Sequence, residues 1–306
     1  MLNVRGCYVA LVTPFNDDFS VNYSKLNELI ECHISWGTSG LVVAGVTGEG
    51  VTLSRQERER VIQFAVEKAA GRITVLAGAG ASSTSETVEN VQFAKDAGAA
   101  GVMVMTPPTV KPSAAGILAH FREVDKVGIP FMVYNASGRA GVNITCELFE
   151  RIADGTDNFI AIKQANGDID GTSDLINRLP ETVSVMSGDD AITLPFLAIG
   201  CRGVVSTAGN FMPFAFEQMI NLFNAGKVAE ARAIHLCMAG LNKGLLAYGN
   251  PTGVKYAMNA LGFEVGQARM PMTVLEDACK LKLDELLREA EEYLSVNSCV
   301  WARLAA

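Results

Sequence analysis

Two hydrophobic periods alternate along the chain. Short, nearly continuous apolar runs fall at Cys7–Pro14, Gly40–Gly45, Ile73–Gly78, Gly101–Pro107, Pro130–Asn135, Phe159–Lys163, Val183–Gly188 and Gly203–Thr207. Runs of this length, rich in β-branched residues, suit strands buried on both faces. Between them lie longer stretches whose apolar residues recur every three or four positions. "VNYSKLNELIECHISWG" and "LSRQERERVIQFAVEKAAG" are the clearest, and each closes at a glycine, as amphipathic helices do. Ser54 with Glu57 three residues on predicts a capping box at the start of the second.

Eight strand–helix units with short connections predict an α/β fold, a closed parallel (β/α)8 barrel of the TIM type. A doubly wound sheet also alternates, but it needs a glycine fingerprint after its first strand. The nearest candidate, Gly78-Ala79-Gly80, follows the third strand and lacks the third glycine. It reads as a tight strand-to-helix loop. The last third of the chain predicts helices at Pro213–Ala225, Val228–Leu246, Thr252–Leu261 and Leu281–Leu294. The expected organisation is a barrel over 1–225, an appended helical layer over 226–295, and a tail of unassigned structure over 296–306.

One strand poses a chemical question. The run Phe159-Ile160-Ala161-Ile162 ends in Lys163, and an ammonium is costly to bury without a partner. Alternation puts Phe159, Ala161 and Lys163 on one face; if that face points inward, Ala161 leaves room beside the lysine. In such a barrel the C-terminal strand ends build the active site, and reactive residues collect there. Strand two leads into "GVTGEG" with Thr47 and Glu49, strand five into "VYNASGRAG" with Tyr134 and Arg139, and strand seven into "SGDD" with Asp189 and Asp190.

Tyr134 and Lys163 sit on consecutive strands and can meet across the mouth. A lysine withdrawn from water can attack a carbonyl as the free amine and form a Schiff base. A neighbouring phenol can shuttle the protons. A threonine hydroxyl and loop amides can hold a carboxylate, and an arginine can hold a second one with its planar fork. Lys163, Tyr134, Thr47 and Arg139 match these roles. Each also has a plain structural reading: an ion pair of Lys163 with an acid such as Asp189, a core tyrosine, a loop cap and a solvated arginine. Glu49 and the Asp189-Asp190 pair read as residues that hold loops by hydrogen bonds.

Composition removes other classes. The formal net charge is −8, and the lysines and arginines form no stripe, so nucleic acid is not an expected partner. No apolar run reaches membrane-spanning length, and "MLNVRGCYVALVTPF" lacks a signal-peptide layout. Seven cysteines, Cys299 among them, show no C-x-x-C spacing, which suits free thiols in a reducing cytoplasm. His33, His120 and His235 lie far apart in helix-like segments, so no metal site is expected.

The set "GVTGEG", "VYNASGRAG", "AIKQANGD", "SGDD" and "NPTGVKYAMNALG" resembles the dihydrodipicolinate synthase and N-acetylneuraminate lyase family, from about Val9 to about Leu294. "GEGVTLS" and "RMPMT" lean toward the synthase branch. The resemblance implies an eight-stranded barrel with a C-terminal helical layer, assembled as a homotetramer (a dimer of dimers) or a homodimer. It implies a lyase whose only covalent group is a lysine Schiff base with pyruvate or a related 2-oxo acid, with no separate cofactor. Carried over, Lys163 is the Schiff-base lysine, Tyr134 the proton-relaying phenol, and Thr47 the ligand of the pyruvate carboxylate. Gly188 and Val205 line the pyruvate pocket, and Arg139 holds the far carboxylate of an aldehyde substrate.

The chain also departs from the family pattern. The synthases usually carry two threonines before "GE"; here the first is Val46. They usually carry a "TPYY" turn after strand four; here it is "TPPT", with Pro108 and Thr109. Two of three relay hydroxyls are thereby missing or displaced. "YNASGRAG" lacks the proline usual between Asn and Arg. At the positions that bind lysine in inhibited synthases stand Gly50, Arg55, Arg58, Ser82, Glu86 and Pro108, of which only Glu86 matches. The nearest activity is 4-hydroxy-tetrahydrodipicolinate synthase, condensing pyruvate with aspartate semialdehyde. The alternatives are an aldolase or dehydratase for a 2-oxo-3-deoxy sugar acid, and a barrel that binds a small molecule without turnover.

Overall fold

The computed structural model describes residues 2–296, so Cys299 and the tail from residue 297 lie outside the described residues. Eight strands form one closed parallel barrel in chain order. They are β1 (Gly6–Ala10), β2 (Gly40–Val43), β3 (Thr74–Gly78), β4 (Gly101–Met105), β5 (Phe131–Asn135), β6 (Phe159–Gln164), β7 (Ser184–Ser187) and β8 (Gly203–Ser206). The helices around them are α1 (Tyr23–Ser35), α2 (Arg55–Ala69), α3 (Thr84–Asp96), α4 (Ala114–Asp125), α5 (Ser137–Ala140), α6 (Cys146–Asp154), α7 (Ile169–Arg178), α8 (Thr193–Ala198) and α9 (Pro213–Asn224). Three more follow, α10 (Val228–Ala247), α11 (Thr252–Ala260) and α12 (Asp277–Val296), with α10 packed against α9, α11 and α12. No helix among the described residues is long and apolar enough to cross a membrane.

The continuous apolar runs are explained by two separate cores. Alternate strand residues, such as Val9, Val43, Val104 and Val133, join the helices in the outer core. The residues between them, such as Tyr8, Val42, Met103, Met132 and Val205, fill the barrel interior. A strand covered on both faces has no side left for solvent. At the start of α2 the capping box forms as expected: the Ser54 hydroxyl accepts from the Glu57 amide, and the Glu57 carboxylate accepts from the Ser54 amide. The six described cysteines are free thiols.

One expectation about facing is corrected. Phe159 does not share the inward face with Ala161 and Lys163. It lies in the outer core, where its ring stacks with Phe131 at 5.6 Å and Phe149 at 6.3 Å between centroids. The reason is a bulge. Phe131 pairs with Phe159 and Met132 with Ala161, which leaves Ile160 as an extra residue. A bulge places two residues opposite one and breaks strict alternation. Beyond it the period resumes, so Ala161 lies in the interior core and Ile162 in the outer one.

Buried histidines make the fold acid-sensitive. His33 is fully enclosed and hydrogen-bonded through Nδ1 to the Thr38 hydroxyl at 3.0 Å. Burial lowers its pKa to about 3, that of His120 to about 4, and also lowers that of His235. Each stays neutral in the fold while the unfolded chain takes up a proton below the ordinary histidine value. Their contribution is therefore complete above that value and is lost as pH falls below it, by up to about 1.4 kcal/mol per pH unit for His33 down to about pH 3 and for His120 down to about pH 4. Urea titrations between about pH 7 and about pH 5 should show stability falling with acid, and His33→Phe should flatten that slope by about one proton. An unchanged slope in the variant would remove His33 from this account.

Candidate active site

Lys163 and Tyr134 are register partners at the C-terminal ends of β6 and β5. Lys163 is only 5% exposed, and its Nζ lies 4.6 Å from the centroid of the Tyr134 ring. Among the described residues it forms no ion pair, with Asp189 or any other acid. An amine held over an aromatic face, without a carboxylate, is close enough to exchange protons with a ligand that the phenol also touches.

The next residue on each strand fixes this pair from outside the barrel. Asn135 Nδ2 donates to Gln164 Oε1 at 2.8 Å and to Asn143 Oδ1 at 3.0 Å, while Asn135 Oδ1 accepts from the Ile144 amide. Gln164 in turn donates to Thr172 on α7. These buried amides lock the two strand ends together, and their inward neighbours are Tyr134 and Lys163.

Gly188, after β7, lies beside the lysine stem with no side chain of its own. Its amide donates to the Gln164 carbonyl at 2.7 Å. A Cβ there would stand 2.6 Å from the Ala165 Cβ and 3.0 Å from the Lys163 Cγ, so a side chain would push the lysine stem. Val205 on β8 is buried in the same interior core as Tyr134 and Ala161. Asp189 accepts from the Ala191 amide, and Asp190 Oδ2 accepts from the Thr207 and Ala208 amides. That pair thus holds the loops after β7 and β8, as the sequence suggested.

Thr47 is buried in the loop after β2, and its hydroxyl accepts from Asn250 Nδ2 at 3.1 Å. Glu49 in the same loop forms an ion pair with Lys255 on α11 at 2.6 Å, with both side chains 2% exposed. Glu49 Oε2 also accepts from the Arg269 amide, and the Arg269 guanidinium bonds Glu57 and the Thr52 carbonyl. Burial, opposed by the Glu49 charge, lowers the Lys255 pKa to about 8, so at neutral pH it remains an ammonium. Sequence reasoning placed Glu49 as a loop holder; it quoted the segments that contain Asn250, Lys255 and Arg269 but gave these three residues no role. For Lys255 a signal existed: it interrupts the apolar stripe of its helix beside Val254 and Met258, as Lys163 interrupts its strand.

Arg139 lies on α5, a four-residue helix after β5 that the hydrophobic pattern did not mark. It is exposed and pairs with no acid among the described residues. Val46 and Met105 line a cavity of about 60 Å³ with Met103, Arg58 and Tyr134. The wall beside the phenol is therefore apolar on its β2–β4 side. Thr109 adopts a left-handed φ of +75°. Among the described residues, no group of three or more His, Cys, Asp or Glu is placed to hold a metal.

The geometry has counterparts among known proteins. The model of the dihydrodipicolinate synthetase family matches residues 3–290. The 4-hydroxy-tetrahydrodipicolinate synthase of Aquifex aeolicus is 40% identical over 286 residues, covering 93% of this chain and 97% of that one. The solved 4-hydroxy-tetrahydrodipicolinate synthase of Methylacidiphilum fumariolicum SolV superposes with a TM-score of 0.95 at 33% identity, over 98% of this chain and 100% of that one. A chloride-inhibited dihydrodipicolinate synthase of Acinetobacter baumannii, solved in complex with pyruvate, gives 0.91 at 33% identity, over 94% and 98%. Family match, identity and fold agree along nearly the whole chain: it belongs to the dihydrodipicolinate synthetase family.

Proposed function

We propose that the protein is a Schiff-base lyase that acts as a 4-hydroxy-tetrahydrodipicolinate synthase, joining pyruvate to aspartate semialdehyde. The observation that carries this reading is the buried Lys163, free of any acid among the described residues and held in register with Tyr134. Support comes from relatives that bear that activity's name along most of the chain. A non-catalytic binder has no use for a nucleophile placed in this way.

Lys163 Nζ, as the free amine, attacks the keto carbon of pyruvate. Tyr134 passes the proton that lets the carbinol oxygen leave as water, giving the imine. The imine draws electrons from the methyl carbon, which loses a proton and becomes an enamine. That carbon attacks the aldehyde carbon and forms the new carbon–carbon bond, while the carbonyl π pair moves to the aldehyde oxygen, which takes up a proton, and the imine re-forms. The amine of the aldehyde substrate, or water, then adds to the imine carbon, and the bond from that carbon to Lys163 Nζ breaks to release the lysine. Thr47 holds the pyruvate carboxylate, Gly188 and Val205 shape the space around the keto acid, and Arg139 holds the far carboxylate of the aldehyde. No separate cofactor enters this scheme. The reading carries with it a cytoplasmic enzyme and a homotetramer or homodimer.

Three experiments test the scheme. Incubation with pyruvate and borohydride, followed by peptide mass spectrometry, should find the reduced adduct on the Lys163 peptide. Folded protein with ample pyruvate and no adduct would favour the binder. Arg139→Ala should leave this trapping nearly intact while lowering turnover of the acidic aldehyde on the order of tenfold to a hundredfold, the worth of a charged hydrogen bond. Equal loss of both would place Arg139 on pyruvate or in the framework.

The third concerns the relay. Val46 offers no hydroxyl beside Tyr134, and Thr109 is too short to replace a tyrosine simply. A positioned proton-transfer group is worth about a hundredfold or more, so the unaltered protein should be a slow synthase. Val46→Thr and Thr109→Tyr together should gain more than the two single gains combined, because a relay needs both members. Wild-type turnover at an ordinary synthase rate would refute the relay argument. Inactivity of the double variant, with cleavage of a 2-oxo-3-deoxy sugar acid by wild type, would favour the aldolase reading.

A further inference from the structure

The C-terminal layer reaches the candidate carboxylate pocket at two points. Lys255 grips Glu49, and Asn250 grips Thr47. The two contacts join the same pair of segments, since Glu49 follows Thr47 by two residues and Lys255 follows Asn250 by five. Arg269 adds a backbone bond to Glu49 and a guanidinium bond to Thr52. The loop after β2 is thus clasped from outside the barrel. The ion pair fixes where the loop backbone lies. The contact to Thr47 does something more specific.

A threonine hydroxyl has one proton and two lone pairs, and it rotates to suit its neighbours. Asn250 Nδ2 occupies a lone pair of the Thr47 oxygen at 3.1 Å. The proton must then point elsewhere, and among the described residues the Thr47 hydroxyl donates to no protein acceptor. Asn250 Oδ1 is buried and unpartnered. Turning the amide over would hand the Thr47 proton to that oxygen and leave a buried NH2 in its place. In the observed orientation the hydroxyl is a donor waiting for an acceptor.

We propose that Asn250 is a positioning residue for the 2-oxo acid: by donating to Thr47 it keeps the Thr47 proton free for the substrate carboxylate. The proposal rests on the Schiff-base reading and deepens it, because it assigns the carboxylate grip to a pair of side chains, one from the barrel and one from the helical layer. Asn250 itself touches no reacting atom and acts through Thr47.

The test measures the pyruvate concentration that gives half-maximal borohydride trapping at Lys163. It compares the unaltered protein with Thr47→Val, Asn250→Ala, Asn250→Asp and the Thr47→Val/Asn250→Ala double variant. Loss of a single hydrogen bond sets the scale, so Asn250→Ala should weaken pyruvate by roughly fivefold. Asn250→Asp is nearly isosteric and keeps the shape of the turn, but its carboxylate can only accept. It should take the Thr47 proton, set a negative charge beside the pocket, and weaken pyruvate more than alanine does. The double variant should be no weaker than Thr47→Val, because a residue that acts through Thr47 has nothing left to orient. Additive losses, or an aspartate variant that binds as well as the alanine one, would overturn the positioning role while the wild-type adduct still stands. Absence of the adduct in the unaltered protein would instead remove the Schiff-base reading, and this proposal with it.

Discussion

The parallel pairing of β5 with β6 is the constraint on which the mouth of the barrel depends. Parallel ladders specify register only through side-chain fit and through what happens at their ends. Here the end is secured by buried amides, Asn135 on Gln164, whose remaining hydrogen-bonding groups go to Asn143, Ile144 and Thr172. A buried amide left without its partner costs about 1–3 kcal/mol, so a slip of one residue is opposed on the outer face by lost hydrogen bonds. On the inner face the same slip would separate Lys163 from Tyr134. The barrel wall and the meeting of Lys163 with Tyr134 are held by one register.

A second constraint acts across the chain's length. Glu49 and Lys255 are withdrawn from water together. Such a pair seldom adds much net stability, since desolvation offsets the attraction, but losing one partner strands the other charge at a cost of about 3–5 kcal/mol. The pair therefore works as a specification: the C-terminal helices have one place to dock, and the loop that carries Thr47 has one place to lie. Phe15 contributes by lying under both cations, with its ring centroid 4.0 Å from Lys255 Nζ and 4.4 Å from the Arg269 guanidinium carbon.

The barrel was legible in the sequence because strands covered on two faces leave continuous apolar runs, which no surface strand would. Lys163 and Tyr134 were legible for a related reason: a polar group ending such a run stands out against it. What the pattern hid was decided by distant contacts. The facing of Phe159 is set by rings from β5 and α6, and a period counted along one strand cannot see them. Asn250 and Arg269 lie in connections, where polar residues are ordinary, and their partners are about two hundred residues away. The short α5 has too few residues to show a helical period at all. The role of Lys255 was within reach, had the rule applied to the strand been applied to the helix.

The bulge at Ile160 gives β6 a property that an ideal strand lacks. Its beginning is tied to the outer layer, where Asp125 accepts from the Asp157 and Asn158 amides and Phe159 stacks with its neighbours. Its end is tied to β5 through Gln164. Between these anchors the strand carries one residue more than its partner needs. That spare residue, Ile160, is itself buried in the interior core. The bulge separates the stretch of β6 that packs on α4 and α6 from the stretch that carries Lys163. One surplus isoleucine thus lets a single strand turn Phe159 to the helical shell and Ala161, two residues on, to the barrel interior.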